Sequence, residues 1–178
     1  MNIFYMHESP QQCAEWMVDR HVVKMILETA QLLSTTHRYL DGDEWIDQAK
    51  NGRNIKRWAL PDNRESIMYK ATHINHPSAV WTRQSVENYL WLVDHLFALL
   101  GEYKYRYEKV HAVEGNISWM LQSPPHKLEE WDMTEMPCAM PDEYKISKDP
   151  TINYRNYYKH AKSHLHSWKK RNPPEWII

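Results

Sequence analysis

The sequence predicts an all-α single domain over residues 1–178, with long helices near residues 10–40, 77–100 and 150–170 and long irregular loops between them. Three observations carry this. Ser9-Pro10-Gln11-Gln12 is a helix start, with Ser at the N-cap, Pro at the first helical position and Gln where a capping box wants it. Residues Trp81, Val86, Tyr89, Leu90, Val93, Leu96, Phe97 and Leu100 recur with helical period. The length fits one core, and no repeat of 20 to 50 residues divides the chain.

In order, Ile3 to Met6 reads as a short extended stretch before the first helix, which meets no breaker until Asp41-Gly42. Residues 43–72 carry scattered apolar anchors among Asn-Gly and Pro-Asp turn signals and are expected to be short helices and loops. The second long helix opens at His76-Pro77, with Gly101 as an end or bend. Residues 102–109, rich in Tyr and basic groups, fit either strand or helix. A short helical stretch lies around Ile117 to Leu121. Ser123 to Pro150 is a surface loop expected to be anchored by Trp131 and Met140, and the last helix follows.

Net charge is −1, so no global electrostatic signal announces a nucleic-acid partner. The distribution is uneven: acids dominate from Glu129 to Asp149, whereas Thr151 to Pro174 holds six Lys and Arg and no acid. Nine Trp, eleven Tyr and eleven His against two Phe supply rings suited to polar clefts and to stacking on bases. Two cysteines far apart form no disulfide framework. The N-terminus has no basic start with an apolar run, and no 18-residue apolar stretch occurs, so a cytoplasmic protein without a membrane partner is expected.

The most informative feature is on the first helix. At about 100° per residue from His21, Glu28 falls near 340°, Thr35 near 320°, Lys24 near 300° and Gln31 near 280°. Met25, Leu27 and Leu32 border this narrow polar face. Ionisable groups so bordered stay buried only when paired, and the arrangement suits an active site better than core. His73, His76, Trp81 and Arg83 are expected to meet it from the start of the second long helix.

Asp19-Arg20-His21, followed seven positions after His21 by Glu28, resembles the Asp-x-His and helical Glu of the phage-type pyrimidine dimer DNA glycosylases with lyase activity, the endonuclease V kind. His76-Pro77 through Trp81, Tyr89-Leu90, Leu96 and Glu102 to Tyr107, with Arg106 in the Arg position, is similar to the second block of that family. The C-terminal Tyr157-Tyr158 and Trp168 are loosely like its aromatic tail. The resemblance implies a helical enzyme whose N-terminal α-amine attacks the C1′ of a damaged or modified pyrimidine nucleotide, forms an imine, and drives β-elimination of the strand. Glu28 and His21 would be catalytic beside the amine, which belongs to Met1, or to Asn2 if Met1 is removed. An α-amine suits this because its ordinary pKa near ~8 leaves it partly neutral at cellular pH, unlike lysine near ~10.4. The partner implied is DNA, a duplex with a damaged base, contacted by Arg20, Lys24, Gln31, His73, His76, Trp81, Arg83, Lys104, Arg106 and Tyr107; no cofactor or metal is implied.

Two other readings compete. His21, Glu28, His73 and His76 would converge as ligands in a metal-dependent hydrolase. Alternatively, the Tyr/Lys segment 103–109 and the basic tail 154–171 would bind nucleic acid without catalysis.

Overall fold

In a computed structural model describing all 178 residues, the protein is mainly helical but not purely so. Its elements are α1 (Pro10–Trp16), α2 (Asp19–Asp41), β1 (Asp43–Gln48), β2 (Asn54–Ala59), α3 (Arg64–Ile67), α4 (Pro77–Thr82), α5 (Val86–Tyr107), α6 (Asn116–Met120) and α7 (Pro150–Ala161), with short 3-10 turns near the C-terminus. α2 and α5 form the central layer, and α1 packs on α5. The N-terminal segment is part of the core: Ile3, Phe4, Tyr5 and Met6 are all buried.

Each of the three long helices expected from sequence is shorter than it reads. The first breaks at Met17-Val18 because a distant cation satisfies the helix-end carbonyls. The buried Arg106 guanidinium donates to Glu15 O (2.9 Å) and Met17 O (2.8 Å), and Val18 N–H donates to the Tyr158 hydroxyl (2.9 Å). The second breaks after Thr82. Ser85 caps α5 by accepting from Asn88 N–H, while the Asn88 amide donates to Trp81 O and so closes α4. α5 then runs through Gly101 to Tyr107, which assigns the open segment 102–109 largely to helix. The last helix stops at Ala161 and not near residue 170.

Residues 43–59 depart furthest from expectation. They form an antiparallel hairpin, pairing Trp45 with Arg57 and Ile46 with Lys56, turned through Asn51-Gly52 with Gly52 at φ 78°. Gly42 joins α2 to it where a Cβ would meet Arg38 O at 2.5 Å, so no larger residue fits. The 123–150 loop is irregular as expected, with Met140 buried, but Trp131 is 64% exposed and anchors nothing. Leu128 and Met136 hold the loop instead. No helix is long and apolar enough to cross a membrane.

Two buried polar clusters lock this arrangement. Arg106, 0% exposed, pairs with Glu102 (2.7 Å) and Asp19 (3.0 Å), and Arg171 from the C-terminal strap grips the other Glu102 oxygen (2.9 Å). Burial alone would raise the Glu102 carboxyl, but Arg171 and Arg106 hold it below its usual range. In the second cluster Tyr89 donates to Leu121 O (2.8 Å) and accepts from His37 Nε2 (2.8 Å). Nδ1 of His37 therefore accepts from Arg64 (3.0 Å), which also binds Asp41 (2.6 Å).

Removing one partner of the first cluster strands charge in the core. Arg106→Met is expected to lower the unfolding free energy by about 3–5 kcal/mol, seen as a lower urea midpoint; an unchanged midpoint would show the cluster to be dispensable. A second expectation concerns acid. Burial holds His21, His37 and His95 down at about 4, against ~6.5 in an unfolded chain. Between those values the unfolded chain binds more protons, so stability falls as pH drops from about 6.5 toward 4. Denaturation titrations across that window should show it, and a flat profile would contradict neutral buried imidazoles.

Candidate active site at the N-terminal amine

Local packing decides where the chain begins. Asn2 closes a turn on itself, its Oδ1 accepting from Ile3 N–H (2.7 Å) and Phe4 N–H (3.1 Å), and its Nδ2 donates to Ala139 O (2.8 Å). Phe4 sits in the left-handed region at φ 56°, a conformation that costs roughly 1–3 kcal/mol and needs its surroundings to hold it. Those surroundings are His21, stacked on the Phe4 ring at 4.5 Å, and Tyr158 at its edge. The Met1 side chain packs against the core, only 3% exposed.

The Met1 α-amine consequently lies 3.8 Å from Glu28 Oε2, while Lys24 Nζ lies 3.1 Å from the other oxygen, Oε1. Glu28 is 15% exposed and Lys24 63% exposed, so the polar face of α2 is only part buried: it is walled at Glu28 and open at Lys24. Leu27, expected to help enclose the face, is itself exposed, as is Val23; Met25 and Leu32 are buried. The opposite wall is the 72–76 segment. Thr35 Oγ1 accepts from Thr72 N–H (3.2 Å) and donates to Thr72 O (3.4 Å), laying that segment along α2. Burial, the α-amine and His73 all push the His76 imidazole down while Glu28 pulls it up, so these four groups share one electrostatic neighbourhood.

His21 is buried and faces Tyr158. The Tyr158 hydroxyl accepts from Val18 N–H and so donates to His21 Nδ1 at 2.9 Å, which fixes a neutral imidazole with its proton on Nε2. Burial, then Lys162, Lys24 and His164, depress it to about 4. Lys162 and His164 thus form part of a basic surround that sequence reasoning did not single out; the acid-free tail was the available signal.

The remaining expected contacts divide. Arg20, Lys104 and His73 are exposed, and Gln31 and His76 are half-buried. Trp81 is buried with its Nε1 donating to Thr134 O (3.1 Å), and Arg106 is fully enclosed; neither ring nor guanidinium is open to a nucleic acid. Arg83 donates to Ile74 O and Ala79 O and covers Tyr39, while Tyr107 donates to Asp19 O; both tie segments together. The metal-ligand set fails on geometry, since His21 turns to Tyr158 and no three His, Cys, Asp or Glu side chains gather as a metal site would need. A cavity of about 1160 Å³ beside Trp16, Arg155 and Trp176 is lined by none of the candidate residues.

What this geometry offers is a fixed primary amine, a carboxylate within ion-pair reach, and a cation sharing that carboxylate. A family model described as pyrimidine dimer DNA glycosylase matches residues 1–114 of the 178. No curated protein and no solved structure matches the chain. The match contains Met1, Lys24, Glu28, His73 and His76, and the chain belongs to the pyrimidine dimer DNA glycosylase family.

Proposed function

We propose that the protein excises a damaged or modified pyrimidine from duplex DNA and then cuts the strand, with the Met1 α-amine as nucleophile and Glu28 as its acid–base partner. The observation that carries this reading is the 3.8 Å separation between that amine and the Glu28 carboxylate. It is an ion-pair distance and not a hydrogen bond, and it leaves room for a small approach when a sugar enters.

The amine, once deprotonated, attacks the sugar C1′. The C1′–N bond breaks, and its electron pair leaves with the pyrimidine, which takes up a proton. Ring opening and loss of the amine's remaining proton give an imine between Met1 and C1′. Removal of a C2′ proton then expels the 3′ phosphate by β-elimination, breaking the C3′–O bond. Glu28 is placed to accept the amine's proton and to face the positive charge that develops at the sugar. Lys24 engages the second carboxylate oxygen, limits how tightly Glu28 holds the ammonium, and offers its exposed end to phosphate.

Asn2 does not serve as the nucleophile in this reading, because its side chain is committed to the Ile3, Phe4 and Ala139 backbone and its nitrogen lies one residue further into the chain. His21 is a positioning residue: uncharged and buried, it supports Phe4 and through it the bend that aims the terminus. Exposed Arg20, Lys104 and His73, together with Gln31, His76, Lys162 and His164, supply the phosphate-facing surround.

Glu28→Gln keeps the shape and removes the base. Strand cleavage of a duplex carrying one pyrimidine dimer is expected to fall by at least ~100-fold, with duplex affinity measured by anisotropy changing less than about threefold. Cleavage at the parent rate by this variant would remove Glu28 from the reaction.

A further inference from the structure

We propose that the β1–β2 hairpin is a second DNA-gripping element, which holds the duplex on one side of the lesion through the exposed cations Lys50 and Arg53 at its tip. The proposal rests on the reading of DNA as the substrate.

The hairpin is difficult to explain as scaffold. Between residues 43 and 59 only Trp58 is buried, and it lies outside the main hydrophobic core cluster. Five of the six β1 residues are exposed, among them Trp45 and Ile46. A two-stranded hairpin that buries so little is marginal on its own, and this one is held at its base. Arg38 donates to Trp58 O (2.9 Å), and the Trp58 ring packs on Tyr39.

Its charges are segregated in sequence: Asp43, Glu44 and Asp47 lie on β1, with Asp47 close to the turn opposite Ile55, whereas residues 48–57 contain Lys50, Arg53, Lys56 and Arg57 and no acid. Lys56 is taken up by Glu44 (2.7 Å) and Arg57 by Asp47 (3.2 Å). Lys50 and Arg53 have no acidic partner and are exposed around the Asn51-Gly52 turn. Paired cations stiffen the ribbon, and the two unpaired ones remain for phosphates. A two-stranded β-ribbon is also one of the elements that the major groove of B-DNA admits.

Placement supports the same substrate as the candidate site. At about 100° per residue from His21, Gly42 leaves α2 near 300°, the bearing of Lys24 and between those of Gln31 and Glu28. The 68–73 segment joins the two along this face: Arg38 donates to Met68 O and Tyr69 O, and Thr35 holds Thr72. Exposed Lys70 sits on this segment and borders a small cleft with Trp45 and Arg57. From Glu28 to Gly42 is fourteen residues, about 21 Å of helix, or roughly 6 base pairs at ~3.4 Å each.

The test compares parent and Lys50→Ala/Arg53→Ala protein on a 30-base-pair duplex carrying a central pyrimidine dimer. Anisotropy is followed from 50 to 200 mM salt, and single-turnover cleavage is measured at saturating protein. Loss of two phosphate contacts should lower the slope of log K against log salt by about 2 and weaken binding roughly tenfold, with the saturated cleavage rate unchanged. On a duplex with only four base pairs on each side of the dimer, parent and variant should bind alike. Equal slopes and affinities on the long duplex would overturn the proposal, as would an equal deficit on the short one, and would leave the hairpin to a protein partner or a structural role. A parent that neither binds nor cleaves the duplex would overturn the functional reading itself, a result distinguishable from failure of the hairpin alone.

Discussion

The chain's first six residues are packed into the fold, with residues 3–6 buried in its core, and the candidate chemistry depends on that constraint. Termini ordinarily fray, and a frayed amine would sample a large volume around any carboxylate. Here Ile3 and Met6 are fully buried, Phe4 is wedged between His21 and Tyr158, and Asn2 is tied to Ala139. The backbone strain at Phe4 persists because aromatic packing over-determines it. The effect is positional: a flexible end becomes a fixed amine 3.8 Å from Glu28, and in the proposed reaction much of the entropic cost of bringing that amine to a substrate is met during folding.

That packing in turn needs the α1–α2 break and the C-terminal strap. Arg106 satisfies the carbonyls at the end of α1, pairs with the Asp19 that opens α2, and shares Glu102 with Arg171. The same Asp19 accepts from Ser167 Oγ and Lys169 N–H, drawing the strap across the junction. Tyr157, Tyr158, Lys162 and His164 stand around Phe4 and His21 although they lie beyond residue 114, where the family match ends. This chain thus supports the candidate site in part from sequence outside the matched portion.

What was legible in the sequence was periodic and local. The polar face carrying Lys24, Glu28 and Thr35 follows from helical geometry, and the seven-residue step from His21 to Glu28 carried the family resemblance. What was hidden depended on distant partners. Nothing near Met17 announces that Arg106, some ninety residues away, will cap it, so α1 and α2 read as one helix. The cap at Ser85 was present in the sequence, but the apolar period running across it concealed the break. The hairpin escaped because Asp-Glu-Trp-Ile-Asp-Gln is exposed on both faces and shows no alternation, leaving the Asn-Gly turn as its one signal. Trp81 and Arg106 looked like ligand-facing groups by residue type, yet each is buried because its polar atoms find partners within the protein.

The proposed nucleophile is the α-amine of a retained Met1. It is tested most directly by reducing a reacting mixture of protein and dimer-containing duplex with borohydride, digesting it, and locating the DNA adduct by peptide mass spectrometry. One adduct is expected, on the α-nitrogen of the peptide beginning Met1-Asn2. An adduct on a lysine side chain, on a peptide beginning at Asn2, or none at all under conditions where the strand is cut, would contradict it.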